Sequence, residues 1–365
     1  MSYDYSEIVP YLLYWYERNA RILRWREEPK PYYIWVSEIM LQQTRVEAVK
    51  GYFDRFLAEL PDIKALAEAE EEKLLKLWEG LGYYNRVRNM QKAARLLMDE
   101  YAGELPADYE LLKKLPGIGS YTAGAISSIA FGLPEPSVDG NVLRVLKRIA
   151  ASFDDITKEK VKKELEADVR RIMPAERPGD FNQSLMELGA TVCLPNGKPL
   201  CEQCPVMHLC KAFHQGVELE LPVKSSAKAR RVENRTVYII RKDGCSETEY
   251  ILHKRPEKGL LSGMWEFPNV EGHFTETEVR KLFETAEIKR LPDGKHIFSH
   301  VEWRMWCYEI KLAELFQLPE EIEQGTKSFT LQQIKEQVSL PSAFDCCKKY
   351  MNDKTEEQKK SRKKT

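Results

Sequence analysis

Three groups of residues in this 365-residue chain could do chemistry. Glu38 lies in Tyr32-Tyr-Ile-Trp-Val-Ser-Glu-Ile-Met-Leu-Gln-Gln-Thr-Arg-Val-Glu-Ala-Val, a stretch that opens after Pro31 and reads as one helix. Its helical neighbours three and four residues away are Ile34, Trp35, Leu41 and Gln42. A carboxyl on so apolar a face would keep its proton to near-neutral pH and could act as a general acid. A glutamate at the helix margin, reaching solvent, fits the same pattern. Asp139 stands in Ser137-Val-Asp-Gly-Asn-Val-Leu-Arg-Val-Leu, just ahead of an apolar-periodic helix, where an aspartate ordinarily caps the helix. Cys193, Cys201, Cys204 and Cys210 fall within eighteen residues, with a C-x2-C and Pro205. That spacing is a metal-site signal. Structural zinc and free core thiols are the plain readings of it.

The elements that must position these groups centre on residues 108–148. Asp108-Tyr-Glu-Leu-Leu-Lys-Lys-Leu has the capping residue and spacing of a short helix, and Tyr121 to Phe131, rich in small residues, reads as another that packs closely. Between them Leu115-Pro-Gly-Ile-Gly-Ser forms a tight hairpin. Gly117 and Gly119 tolerate left-handed backbone and bare their N–H groups at the next helix start. Such a device can grip one phosphate of DNA without reading a base, and it can equally be an ordinary helical hairpin. Gly80-Leu-Gly-Tyr-Tyr-Asn-Arg-Val-Arg-Asn follows a helix ending near Trp78. Its tyrosines and Arg86 and Arg88 suit a loop that slides an aromatic into a base stack while arginines hold phosphates, or else a surface turn. Trp25 and Arg26, before a Pro29–Pro31 break, fit packing or a pocket.

Taken together, the hairpin and the aspartate twenty residues beyond Gly119 resemble the helix-hairpin-helix superfamily of base-excision DNA glycosylases. Ser37-Glu38-Ile-Met-Leu-Gln42-Gln43-Thr44, Gly80-Leu-Gly-Tyr83-Tyr84 and Val138-Asp139-Gly140-Asn141 resemble, more narrowly, the adenine DNA glycosylases of the MutY family. The resemblance implies Glu38 as general acid and Asp139 beside the sugar of an extruded nucleotide, with Tyr121 and Asn141 steadying it. It implies a base pocket of Trp25, Arg26 and Gln183. Gln42, Gln43, Thr44, Leu81, Tyr83, Arg86, Arg88, Gly117, Gly119 and Lys198 would meet DNA. Endonuclease III-type relatives carry a hairpin lysine that attacks the sugar; Tyr121 stands there and cannot form a Schiff base, so a monofunctional enzyme is expected. The family holds a [4Fe–4S] cluster on cysteines separated by six, two and five residues. Here the separations are seven, two and five. The longer first loop, Pro195-Asn-Gly-Lys-Pro, can bulge without moving the ligands, and ligand type and the resemblance favour the cluster over zinc. Its task would be to tie down a loop whose Lys198 and Lys211 meet the DNA backbone.

Length suffices for two domains, and a net charge of −1 neither advertises nor excludes nucleic acid. No apolar run reaches a membrane span and the N-terminus is no signal peptide, so a cytoplasmic monomer is expected. Cys245, Cys307, Cys346 and Cys347 show no ligand spacing and read as reduced thiols. Beyond a charged linker the period changes to strands: Thr236–Arg241, Glu249–Arg255 and Ile297–Ile310, with helices near Glu276–Glu284 and Leu331–Gln337. Gly259-Leu-Leu-Ser-Gly-Met-Trp-Glu-Phe-Pro resembles the Nudix, or MutT-like, fold. The acidic box that cleaves pyrophosphates is missing after Pro268. The resemblance implies a recognition domain in which Phe298, Ser299 and His300 reach 8-oxoguanine.

The reading is therefore a mainly α half, a two-lobed helix-hairpin-helix glycosylase, joined to an α+β Nudix-like domain. Residues 1–217 are catalytic, with a cluster loop at 193–210. A linker at 218–234, a lesion-recognition domain at 235–350 and a disordered basic tail at 351–365 follow. The expected substrate is duplex DNA carrying adenine opposite 8-oxoguanine or guanine. An endonuclease III-like or thymine-mismatch glycosylase, a non-catalytic mismatch binder and a nucleotide pyrophosphatase are the alternatives. The first would lack the C-terminal domain, the second Glu38 or Asp139, and the third would need the acidic box.

Overall fold

Helices occupy the first two-thirds of the chain: α1 (Ile8–Asn19), α2 (Arg24–Glu27), α3 (Pro31–Leu41), α4 (Val46–Glu59), α5 (Ile63–Glu68), α6 (Glu71–Leu77), α7 (Asn85–Glu100), α8 (Tyr109–Lys114), α9 (Ser120–Ala125), α10 (Gly140–Ala150), α11 (Glu159–Ile172), α12 (Pro178–Thr191) and α13 (Lys211–Gln215). The computed structural model describes residues 3–225, 229–243, 247–312 and 318–362, without the side chains of 321 and 354–362. Cys245 and the last three residues of the expected tail lie outside the described residues. No helix among those described is long and apolar enough to cross a membrane.

Two compact units emerge: Met1–Ala69 with Asn85–Ser226, and Glu70–Tyr84 with Ala227–Thr365. In the helical unit, Val142, Val145, Leu146 and Ile149 of α10 pack with Ile8 and Leu12 of α1, Val161 and Leu165 of α11, and Phe181, Leu185 and Leu188 of α12. The amphipathic spacing of α10 dictates this, because its i, i+3, i+4 and i+7 positions form one apolar stripe. The helix expected over 32–49 is broken. Chain direction changes at Gln42–Arg45, where Gln43 takes φ 60°. The exposed carbonyls at the end of α3 are met by Arg86, whose Nη1 donates to the carbonyls of Ile39, at 2.6 Å, and Gln42, at 2.7 Å.

The second unit is a mixed sheet. Its strands are β1 (Arg231–Asp243), β2 (Thr248–Lys254), β3 (Trp265–Glu266), β4 (Asn269–Glu271), β5 (Glu287–Arg290), β6 (Gly294–Ile297), β7 (Val301–Leu312) and β8 (Thr326–Thr330). The order is β3-β2-β1-β7-β5, with β4 on β1, β6 on β7 and β8 on β2. The central pair, β1 and β7, is parallel, with Val237 opposite Cys307. Both of its faces are covered, which is why Val237-Tyr-Ile-Ile reads as a continuous apolar run. Val237 and Ile239 face Trp303, Met305 and Phe344, whereas Tyr238 and Ile240 face Val279, Phe283 and Ile310. Helices α14 (Glu276–Leu282), α15 (Glu320–Glu323), α16 (Leu331–Glu336) and α17 (Asp345–Arg362) complete the unit.

Four expectations are corrected here. β1 begins at Arg231, inside the stretch expected to be linker, because Arg231 to Lys242 all pair with β7. The strand expected over Ile297–Ile310 is two strands, β6 and β7, folded back on a turn at Phe298–His300 and paired antiparallel. The tail expected to be disordered continues α17 as far as Arg362, through Lys, Glu and Gln residues of good helix propensity. Segment Glu70–Tyr84, expected in the catalytic half, groups with the sheet: Lys76 Nζ donates to the Val338 carbonyl at 2.9 Å, and the Leu340 N–H donates to Glu79 at 3.2 Å.

Candidate active site and cysteine loop

α3 carries Glu38 into the helical unit, where 5% of it is exposed. The hydroxyl of Tyr121, in the first turn of α9, lies 2.5 Å from Glu38 Oε2 and 3.6 Å from Met186 Sδ. Burial pushes the Glu38 carboxyl up to about 7; the charge of Asp139 adds to the rise, while Tyr121's hydrogen bond and the nearby Arg26 oppose it. The apolar-face reading of Glu38 is thus the one the fold adopts.

Asp139 does cap a helix, as its sequence position suggested. It accepts the N–H groups of Asn141 and Val142, both at 2.8 Å, and the Asn141 side-chain amide at 2.7 Å. Burial raises its pKa, and those three donors with Arg144 restrain the rise. The segment leading to it is pinned: Ser137 Oγ donates to the Tyr121 carbonyl at 3.0 Å, and the Ser137 N–H donates to Asn182 at 3.1 Å. Gly124 makes this crossing feasible, since a Cβ there would sit 1.9 Å from the Pro136 carbonyl oxygen. The hairpin between α8 and α9 turns at Gly117, with φ 80°, and Gly119 then caps α9 with an extended backbone. Nothing stands within 4 Å of where a Gly119 Cβ would be, so this hairpin surface is open to a ligand.

Tyr121, expected to steady Asp139 and the sugar, hydrogen-bonds Glu38, and the charge of Asp139 also helps to raise its hydroxyl pKa. Asn141 bonds Asp139 as expected. Trp25 is a core residue, its edge against Phe53 at 5.0 Å. Arg26 is committed to the fully buried Glu187 at 2.7 Å, beside Arg21 at 2.6 Å. Gln183 is half-buried on α12. Gln43 and Lys198 are exposed, while Thr44, Arg88 and Gln42, whose amide approaches Thr122 at 3.5 Å, are half-buried. Leu81 is buried rather than projecting, and the loop presents Tyr83 at 50% exposure. Arg86 is taken up by α3. Ser299 and His300 are exposed at the β6–β7 turn, while Phe298 packs on Trp303. Ser299 Oγ lies 3.0 Å from the Tyr83 hydroxyl. His300 also lines a cavity of about 360 Å³ with Arg231, Glu233, Arg255 and Trp303. Where a pyrophosphatase box would stand, Thr275 caps α14 and the Glu278 carboxylate accepts the Thr275 N–H in return, while Glu276 pairs with Arg280 at 2.6 Å.

Sequence reasoning missed Arg144 and Glu187. Arg144 bridges Asn141 Oδ1 at 2.9 Å, the Gly189 carbonyl at 2.7 Å and the Cys193 carbonyl at 2.8 Å. One turn on, Arg148 Nη1 lies 3.3 Å from Cys193 Sγ. The helix spacing Arg144–Arg148 was the available signal, hidden because these positions look like an ordinary basic face.

Cys193, Cys201, Cys204 and Cys210 line one cavity, walled by Val145, Ile149, Leu188 and Val206. Among the described residues, the one thiol group gathered within 4.8 Å lies elsewhere, at Cys307, Cys346 and Cys347. Four thiols gathered on one cavity with apolar walls fit an iron–sulfur cluster. The longer first loop closes on one carbonyl, as Leu194 and Leu200 N–H both donate to Val192. Burial pushes the Cys204 thiol up to about 12, so it is a thiolate ligand only when a cation compensates it.

The description "HhH-GPD superfamily base excision DNA repair protein" matches residues 36–171, which include Glu38, Tyr121 and Asp139, and "NUDIX domain" matches 236–349. The adenine DNA glycosylase of Homo sapiens is 35% identical over 374 residues, covering 85% of this chain and 68% of its own. This chain belongs to the adenine DNA glycosylase family. The Mus musculus family member is 36% identical, covering 83% of this chain and 70% of its own. That of Buchnera aphidicola subsp. Schizaphis graminum is 32% identical, with 82% and 85% covered. A solved thermostable thymine-DNA glycosylase is similar with TM-score 0.53 at 28% identity, covering 57% of this chain and 96% of that one. A non-covalent endonuclease III–DNA complex gives 0.51 at 26%, covering 59% and 99%. As a member of this family the chain is a DNA glycosylase, a hydrolase of N-glycosidic bonds.

Proposed function

We propose that the chain removes adenine mispaired with 8-oxoguanine or guanine in duplex DNA, with Glu38 as general acid and Asp139 as the carboxylate that meets the sugar. The observation that carries this is the buried Glu38 carboxyl, pushed up to about 7 and hydrogen-bonded at 2.5 Å to Tyr121. Adenine leaves poorly as an anion, and a flipped base offers N7 for protonation. Tyr121 occupies Oε2, which leaves Oε1 to carry the proton. Asp139, clasped by Asn141 and Val142, stabilises the positive sugar or bonds to it transiently, as paired carboxylates do in glycosidases. Once the base has left, Glu38 is a carboxylate that accepts from Tyr121 and activates water. The restraint on Asp139 comes from Asn141, itself held by Arg144.

Cys193, Cys201, Cys204 and Cys210 would hold a [4Fe–4S] cluster, which when bound ties the loop together structurally. Lys198 and Lys211 then present charge to the phosphate backbone, and the open hairpin at Gly119 offers N–H groups to one phosphate. Ser299 and His300 supply donors and acceptors for the N7–H and O8 that set 8-oxoguanine apart.

Single-turnover excision on duplexes carrying adenine opposite 8-oxoguanine, guanine or thymine tests the reading. Excision opposite the two purines is expected, and Glu38→Gln or Asp139→Asn should abolish it while duplex binding persists. Near-normal turnover by either variant would overturn the assignment.

A further inference from the structure

Outside the cysteine loop, three thiols that look unrelated in sequence converge. Cys307 sits on β7; Cys346 and Cys347 open α17. Cys347 Sγ lies 3.9 Å from that of Cys307 and 3.8 Å from that of Cys346, and all three sulfurs fall within 4.8 Å. We propose that Cys307, Cys346 and Cys347 form a second metal site, a three-thiolate seat for a thiophilic closed-shell cation such as zinc(II) or cadmium(II), in the Nudix-like unit.

Geometry argues for a metal over the other uses of thiols. Zinc–sulfur bonds of about 2.3 Å at tetrahedral angles separate two sulfurs by about 3.8 Å, which is the spacing of Cys347 from each of its two partners. A disulfide requires about 2.05 Å, so any pair must close by nearly 2 Å, and one thiol of three would still be left over. Space for the group is made deliberately: at Gly294 on β6 a Cβ would sit 2.6 Å from Cys346 Sγ and 3.1 Å from the Met305 thioether methyl. Cys307 and Cys347 are 2% and 1% exposed among Trp303, Phe344 and Met351, while Cys346 is exposed. The site is therefore dry on two sides and open on the third, where an ion can enter and a water can complete its shell. Binding releases the three thiol protons to solvent as the three sulfur–metal bonds form. A bound ion would pin the first turn of α17, whose Lys348 pairs with Asp345 at 2.7 Å and approaches Glu79 at 3.8 Å.

The test uses the full chain, purified anaerobically with its iron content measured, and titrates it with cadmium(II) and then zinc(II). Wild-type protein should take up one extra equivalent, with a thiolate-to-cadmium ultraviolet band scaled to three sulfurs. Cys346→Ser, an exposed change that leaves the core intact, should bind at least about ten-fold more weakly, and Cys307→Val should lose the band. Iron content should be unchanged in all three. Equal uptake by wild type and Cys346→Ser overturns the site, and so does uptake matched by iron released. Thermal midpoints supply a second reading: zinc should raise that of wild type by a few degrees and leave Cys346→Ser where it was. Equal shifts in both would count against the proposal.

Discussion

The hydroxyls of Tyr83 and Ser299 lie 3.0 Å apart although 216 positions separate them along the chain. Both belong to the same compact unit, so the exposed tyrosine of the glycine loop and the tip of the β6–β7 turn form one surface. A residue suited to entering a base stack is thereby steadied by a residue suited to reading the lesion.

Ser299→Ala combined with His300→Ala should narrow the preference for adenine opposite 8-oxoguanine over adenine opposite guanine by ~1–3 kcal/mol, with excision from the guanine mismatch retained. Tyr83→Phe should act in the same direction and combine with Ser299→Ala less than additively, because the two share one hydrogen bond. Single-turnover rates on the two duplexes measure this. Full preference in the Ser299/His300 double variant would shift the reading of the lesion to Thr44 and Tyr83.

Glu38 links excision to stability through pH. Its folded pKa of about 7 exceeds the ordinary glutamate value of 4.5, so between these limits the folded chain holds a proton that the unfolded chain has released. The neutral carboxyl costs nothing below about pH 4.5; stability declines as pH rises towards 7, by roughly 3 kcal/mol in all. Glu38→Gln should therefore melt higher than wild type at pH 8 and about equally at pH 4.5, as scanning calorimetry would report. Wild-type excision should fall on the alkaline side with a midpoint near about 7.

Tyr121→Phe removes the hydrogen bond that lowers the Glu38 pKa. The alkaline limb of the pH–rate profile should move to higher pH, and the rate at its plateau should fall because the later carboxylate loses its donor. An unmoved limb would mean that Tyr121 does not touch the titrating acid.

The cysteine loop should yield brown protein with about four irons per chain. Stoichiometric zinc without iron, from an anaerobic preparation, is the outcome that rejects the cluster. Arg144→Leu leaves the buried carbonyls of Gly189 and Cys193 without this donor, at ~1–3 kcal/mol each. Iron content and excision rate should both drop in that variant, measured on the same sample.

What the sequence alone determined is local and periodic. Capping by Asp108 and Asp139, the Gly117 hairpin, the apolar stripe of α10 and the V-Y-I-I run of β1 each follow from neighbours a few residues apart, so each was legible. The apolar flank of Glu38, at Ile34, Trp35 and Leu41, was legible too, but it fits a glutamate at a helix margin equally well, and the fold decided its burial. Tertiary structure decided the pairings between distant side chains. Tyr121 meets Glu38 because α9 lies against α3. Arg86 serves helix carbonyls because α3 ends at Leu41, eight residues short of the helix expected over 32–49. The break at Phe298–His300, the grouping of Glu70–Tyr84 with the sheet and the meeting of Cys307 with Cys346 and Cys347 all depend on which strand pairs with which. Such pairings are set by burial of both sheet faces at once, a condition that no window of adjacent residues contains.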